Sequence, residues 1–305
     1  MNRMHTLIIV LGPTGVGKSD ISLQLAKYYQ TEILSADSRQ FYRELSIGTA
    51  VPSADQLKAV HHHFIQTKSI HDYYNVSEYE TEALQLLNHL FQIKNPVILT
   101  GGSMMYVDTI CKGIDDIPTV DPFIRNEVIQ WYQKNGIDAL KNRLLELDPE
   151  YYRIVDLNNP KRILHAVEIC VMSGKTFSSF RKKTFKKRDF RIFKIGINQD
   201  RKVLYDRINQ RVDRMMNDGL LEEVKGVYEF RNLNSLNTVG YKELFAYLDD
   251  ECSLNEAIER IKGNTRKYAR KQLTWYRRDH EIVWFEPDQI EKIINYLDGK
   301  MNEKE

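Results

Sequence analysis

Residues Gly12 to Ser19 read "GPTGVGKS" and fit the pattern G-x-x-x-x-G-K-[ST]. Glycines spaced in this way let backbone N–H groups turn inward around phosphate oxygens, and a helix starting at the loop adds partial positive charge. Lys18 supplies a full charge, and the Ser19 hydroxyl is the metal-ligand candidate, suited to magnesium. Gly12, Pro13, Thr14, Gly15, Val16, Gly17, Lys18 and Ser19 are thus the polyphosphate-binding candidates. A glycine-rich strand-to-helix turn without a ligand is the plainer alternative. The loop says "polyphosphate" and leaves open which molecule carries it.

Asp37 stands in "LSADSRQFY", just past an apolar run. A carboxylate at a strand tip can accept a proton from a nucleophile or hold magnesium through water, and a turn cap is the alternative. "TGGSMMY" puts Gly101, Gly102 and Ser103 after another apolar run. Glycines there let a backbone approach a ligand, and Ser103 can donate to a phosphate or a reacting amine; a tight turn explains them equally well. His61, His62 and His63 invite a metal reading. Successive strand side chains point to opposite faces, so the three are not expected to converge on one ion, and local structure or substrate contact is expected instead.

Two basic segments remain. "FRKKTFKKRDFR" (Phe180 to Arg191) interleaves cations with phenylalanines, and "TRKYARKQLTWYRR" (Thr265 to Arg278) aligns Arg266 with Arg270 and Lys267 with Lys271 along a helix. Contact with a phosphate backbone explains two such clusters; a solvated charged face explains one alone.

These residues need elements to hold them. "TLIIVL" suits a buried parallel strand, "SDISLQLAKYY" a helix, "EILSA" a second strand and "PVILTGG" a third. Between the last two, "VSEYETEALQLLNHLFQI" reads as an amphipathic helix with Ser77 as its expected N-cap. The alternation points to a parallel α/β sheet with ligands at the C-terminal ends of its strands. From Asp121 to Arg188 the pattern is helical, which predicts an all-helical insertion (121–188) into a core formed by residues 1–120 and 189–305. One insertion helix starts at Asn159–Pro160 and stops at Gly174, with an apolar stripe of Ile163, Ala166, Val167, Cys170 and Val171. "RIFKIGI" returns to the sheet, and helices over Val203–Met216, Leu220–Tyr228 and Glu256–Tyr276 follow. "EIVWF" is a last strand before a closing helix, and the terminal "KMNEKE" is expected to fray.

The 305 residues are 42% hydrophobic and 28% charged with a net charge of +2, so a sizeable core is available and the molecule is no polycation. Any nucleic-acid affinity has to come from local clustering of cations. Cys111, Cys170 and Cys252 are odd in number and far apart, which argues against a disulfide framework and a cysteine zinc site. The N-terminal "HTLIIVLG" is too short to span a bilayer. No signal peptide or membrane partner is expected, and a cytoplasmic location is.

Taken in order, "GPTGVGKS", "SADSRQFYRELSIGTA", "HHFI", "LTGGSMMY", "DPFIR", "NPKRILHAVEI", "RVDRMMNDGLLEEV", "TVGYKEL" and "TRKYARKQLTWYRR" resemble the tRNA dimethylallyltransferases, also called tRNA isopentenyltransferases, over almost the whole chain. The resemblance implies a P-loop NTPase-like core, a parallel sheet flanked by helices, and a helical insertion that helps clamp the tRNA anticodon stem-loop. It implies transfer of a dimethylallyl group from dimethylallyl diphosphate to N6 of the adenosine 3′-adjacent to the anticodon. The loop then holds the donor's diphosphate with Mg2+, although it looks like an ATP site. By the same resemblance Asp37 is the general base, Arg211 helps hold the diphosphate, and Ser103, where threonine is usual, keeps the hydroxyl. The tRNA-contacting matches are Asp37, Ser38, Arg39 and Gln40; Ser103; Arg125; Lys161, Arg162, Ile163, Leu164 and His165; Asn237, Thr238, Val239, Gly240, Tyr241 and Lys242; and Arg266, Arg270 and Gln272. Arg39 departs from the methionine or leucine usual there. The enzyme is expected to be a monomer. Rival readings are a P-loop small-molecule kinase, a transferase that prenylates free adenine nucleotides, and a nucleotide-gated RNA-binding module.

Overall fold

Six short runs lie side by side and parallel in the computed structural model, which describes residues 4–182 and 185–303. They are β1 (Thr6–Leu11), β2 (Ile33–Ser35), β3 (His62–His63), β4 (Val97–Thr100), β5 (Arg191–Ile197) and β6 (Ile282–Phe285), in the order β3-β2-β4-β1-β5-β6. The continuous apolar run of β1 follows from burial on both faces: Leu7, Ile9 and Leu11 join one core, and Ile8 and Val10 the other. The chain builds on one side of β1 first, then crosses to the other with β5 and β6. The phosphate loop leaves β1 at this switch, where parallel sheets open a crevice beyond the strand ends.

Compact packing divides the chain into two units, Met1–Cys111 with Arg188–Glu305, and Lys112–Lys187. The first holds the sheet. The second is helical and begins at Lys112 rather than Asp121, with helices Pro122–Leu147, Pro149–Ile154, Pro160–Ser173 and Phe177–Phe180 among its described residues. Its core gathers Val128, Leu140, Leu144, Ile163 and Ala166. Buried Asp148 accepts from the backbone N–H of Tyr151 and from the N–H and hydroxyl of Ser178, so one carboxylate fixes two turns. Asn159 caps Pro160–Ser173 and Gly174 ends it in the left-handed region (φ 65). Val171 is exposed, so the buried stripe is Ile163, Ala166, Val167 and Cys170.

The helix Val76–Leu90 is capped by Asn75, not Ser77. The Asn75 side chain accepts from the N–H groups of Ser77 and Glu78, and Glu78 answers at the Asn75 N–H, a reciprocal box that a serine two residues later cannot make. The terminal helix Ile290–Asn302 carries Lys300, Met301 and Asn302 in helical form, while Lys304 and Glu305 of "KMNEKE" lie outside the described residues. Among the described residues no helix is long and apolar enough to cross a membrane.

Candidate active site

The phosphate loop connects β1 to the helix Lys18–Tyr29. Gly12 and Gly17 have φ values of 144 and 104, and a Cβ on Gly12 would meet the Ile197 carbonyl oxygen at 2.3 Å. Only glycine fits there. Lys18 Nζ donates to the Pro13 carbonyl at 2.9 Å, curled under its own loop. Burial, and then the neighbouring Arg211, push its pKa down to about 8, with Asp37 acting against them. Ser19 stands exposed in the first helical turn.

Arg211 comes from the helix Arg201–Asn217 and donates to the Thr14 hydroxyl at 3.3 Å. Burial lowers its pKa and the Asp37 carboxylate raises it. Gln272, fully buried on the helix Leu254–Tyr276, braces the loop from behind. Its amide oxygen accepts from Thr14 N–H at 2.7 Å, and its nitrogen donates to the Gly102 carbonyl at 2.7 Å. One side chain thus fixes the phosphate loop to the turn after β4.

Asp37 follows β2, with Oδ1 accepting the Arg39 N–H at 3.0 Å. The turn after β4 crowds it: a Cβ on Gly101 would strike the Ala36 backbone at 2.3 Å, and one on Gly102 would lie 2.9 Å from Asp37 Oδ2. Ser103 Oγ accepts from Ser38 N–H at 2.8 Å and donates to the Ser38 hydroxyl at 2.9 Å. Tyr268 donates to the Gly102 carbonyl at 2.8 Å, and burial raises its pKa, keeping it a donor. Gln40 bonds Ser35, Thr49 and Ala50, an internal brace. Arg39 turns its guanidinium onto the carbonyls of Asn234, Ser235 and Asn237, three acceptors that a methionine or leucine could not engage.

Thr14, Asp37, Ser103 and Arg211 line one cavity of about 510 Å³, together with Asn237, Thr238, Val239, Gly240 and Lys242. Tyr241, from the same segment, points the other way and is fully buried. Its hydroxyl donates to Glu223, whose carboxylate also accepts from the N–H groups of Ser46, Ile47 and Gly48 at 2.7–2.9 Å. This carboxylate holds the Ser46–Gly48 turn that bears Gly48 and Thr49 into the cavity. Sequence reasoning missed Glu223, Tyr268 and the bracing role of Gln272; the spacing of "DGLLEEV" gives no sign of a partner so distant in the chain.

The side chains of Ile163, Tyr241 and Gln272 are fully buried, so these three positions can meet an RNA only through their backbone. Arg266 and Arg270 lean on the helix Arg201–Asn217 through Asn209 and Tyr205. In the other basic segment Arg188 pairs with buried Glu80 and caps the Thr109 and Ile110 carbonyls, so it serves the core. Lys183 and Thr184 of that segment lie outside the described residues. In the helical unit Lys161 and Arg162 are exposed, Leu164 is half-buried, and Arg125 and His165 flank the buried Glu168 at 3.7 and 3.5 Å.

A family model described as IPP transferase matches residues 40–279. The chain is 58% identical over 296 residues to tRNA dimethylallyltransferase 1 of Bacteroides fragilis, covering 97% of this chain and 98% of that protein. It is 59% identical over 294 residues to the protein of the same name from Bacteroides thetaiotaomicron, covering 96% of each. Among solved structures it resembles the full-length tRNA isopentenylpyrophosphate transferase of Bacillus halodurans, with a TM-score of 0.70, 34% identity, and 97% and 96% of the two chains covered. A eukaryotic dimethylallyltransferase acting on tRNA shares the fold at a TM-score of 0.76 and 24% identity, covering 97% of this chain and 77% of that one.

Proposed function

The chain belongs to the IPP transferase family, the tRNA dimethylallyltransferases, and on that premise we propose that it moves a dimethylallyl group from dimethylallyl diphosphate to N6 of the adenosine 3′-adjacent to the anticodon in tRNA, releasing diphosphate. The observation that carries this reading is the shared cavity: the phosphate loop at Thr14 and Arg211 faces Asp37 and Ser103 across one open space.

The donor's diphosphate lies against the loop N–H groups, Lys18 and Arg211. The adenine enters beside Asp37, having left the anticodon-loop stack. Its exocyclic amine is a poor nucleophile because the lone pair is delocalised into the ring. Holding it in line and taking its proton as the bond forms makes it competent. N6 attacks the allylic carbon, the C–O bond breaks toward diphosphate, and Asp37 receives the N6 proton. Negative charge grows on the leaving oxygens, where Arg211 stands beside Thr14 and where the Lys18 amine arrives by turning from the Pro13 carbonyl. Ser103 and Ser38 shape the turn that presents Asp37. The exposed Ser19 hydroxyl, a hard oxygen donor at the first turn after the loop, fits Mg2+. When bound, that ion neutralises part of the diphosphate charge.

The helical unit is proposed to grip the stem-loop through Arg125, Lys161, Arg162 and His165. Asn237 to Lys242, Arg266 and Arg270 contribute from the sheet unit. A cytoplasmic monomer is the proposed working form. The test is incubation of the purified protein with labelled dimethylallyl diphosphate, Mg2+ and an unmodified anticodon stem-loop. Label on the adenine is expected. Phosphate transfer from ATP to a metabolite, or prenylation of free adenine nucleotides without RNA, would overturn the reading.

A further inference from the structure

The histidine run is not the local structure that alternation alone suggests. His62 and His63 form β3, the edge strand of the sheet, paired to β2 in the register Ile33↔His62 and Leu34↔His63. That register sets Glu32 opposite His61, and Ile33 N–H donates to the His61 carbonyl at 3.0 Å. With a side-chain period of two, Glu32, His61 and His63 share one face, while His62 takes the other and bonds the Val60 carbonyl through Nδ1. The sequence argument against convergence holds for three consecutive histidines. It fails for the first and third with a carboxylate from the next strand.

His63 Nε2 lies 2.7 Å from Glu32 Oε2, and the rings of His61 and His63 meet edge-on at 4.3 Å. One ligand atom from each of the three residues lies within 4.8 Å of the others. A tetrahedral zinc ion with bonds of 2.0–2.1 Å asks for ligand atoms about 3.4 Å apart, so the hydrogen-bonded His63–Glu32 pair at 2.7 Å opens slightly, His63 Nε2 gives up its proton to the metal bond, and the exposed His61 ring turns in to close the set. We propose that Glu32, His61 and His63 form a binding site for a first-row divalent metal of borderline character, zinc above all, with solvent in the fourth position.

Its place in the fold separates it from the transfer reaction. Glu32 precedes β2 and His61 precedes β3, at the N-terminal end of a parallel sheet, whereas Gly12 and Asp37 follow the C-terminal ends of β1 and β2. The ion is therefore a clip on a two-residue edge strand. Beyond β3 the chain returns to the segment behind Asp37, where Gln66 N–H donates to the Gln40 carbonyl at 2.8 Å and Lys68 N–H to the Phe41 carbonyl at 2.9 Å. Pinning β3 steadies that segment.

Metal-stripped full-length protein, titrated with ZnCl2 in excess Mg2+ and followed by equilibrium dialysis and thermal unfolding, tests the site. One equivalent of zinc and a raised Tm are expected. His61→Ala and Glu32→Gln each weaken binding by more than about tenfold and abolish the Tm rise, while the exposed His280→Ala leaves both unchanged. X-ray absorption then shows nitrogen and oxygen ligands only. The proposal is overturned by absence of stoichiometric zinc at micromolar concentration, by full retention in His61→Ala, or by sulfur ligation. Each of these outcomes is read from metal binding and unfolding alone, so it stands or falls independently of prenyl transfer.

Discussion

Asp37 lines the cavity, and Lys18 lies buried within electrostatic reach of Asp37 and Arg211. Lys18 has a pKa pushed down to about 8 in the free protein, chiefly by burial. A bound diphosphate favours the charged amine and raises that value. Below pH 8 the lysine is protonated before the donor arrives. Above pH 8 the free protein must take up a proton on binding, so the donor's dissociation constant is expected to rise about tenfold per pH unit. Calorimetric titration with dimethylallyl diphosphate in buffers of different ionisation enthalpy reads both affinity and proton uptake; a flat profile from pH 7.5 to 9.5 would contradict this role. Arg39 contributes differently. Its guanidinium ties the strand tip of Asp37 to the backbone at Asn234, Ser235 and Asn237. Arg39→Leu removes three bonds to carbonyls and is expected to lower kcat more than Tm. A kcat unchanged within about twofold would mean that the turn keeps its place without it.

The loops of the site are positioned by a few long-range side chains, and here the sequence and the structure part company. The phosphate loop, the strand before it and the Gly174 stop were legible because each is written in contiguous residues with one physical solution. Glu223 was not, since its partners at Ser46, Ile47 and Gly48 lie 175–177 residues away and no local pattern records them. Gln272 looked like part of a basic RNA-facing helix, but its helix turns it inward between Thr14 and Gly102. β3 is too short to carry periodicity. Glu223→Gln replaces an acceptor of three N–H groups with an amide that can satisfy them only in part. A loss of about 3 kcal/mol in urea unfolding is expected, together with a raised KM for the RNA. Stability within about 0.5 kcal/mol of the parent would show that the turn stands without the carboxylate.

Across the chain, a net charge of +2 leaves recognition to local clusters, and several of their cations are already engaged inside the protein. Arg188 is bound to Glu80, while Lys161 and Arg162 stand exposed on the helical unit. The paired change Lys161→Glu and Arg162→Glu is expected to weaken stem-loop binding, with donor affinity unaltered. The salt slope of that binding falls by about one for each phosphate that the pair no longer neutralises. Binding measured between low and physiological salt checks this; parallel curves of equal affinity would remove the helical unit from the interface.

The claim that joins these observations is that one cavity holds the diphosphate at the loop and the adenine amine at Asp37. Its most direct test is the single-turnover rate of prenyl transfer by Asp37→Asn, with donor and stem-loop both saturating. A fall of about 10²–10⁴-fold is predicted, with both dissociation constants within a few-fold of the parent. An unchanged rate, or losses in RNA binding equal to the loss in rate, would contradict the assignment of Asp37 as the base.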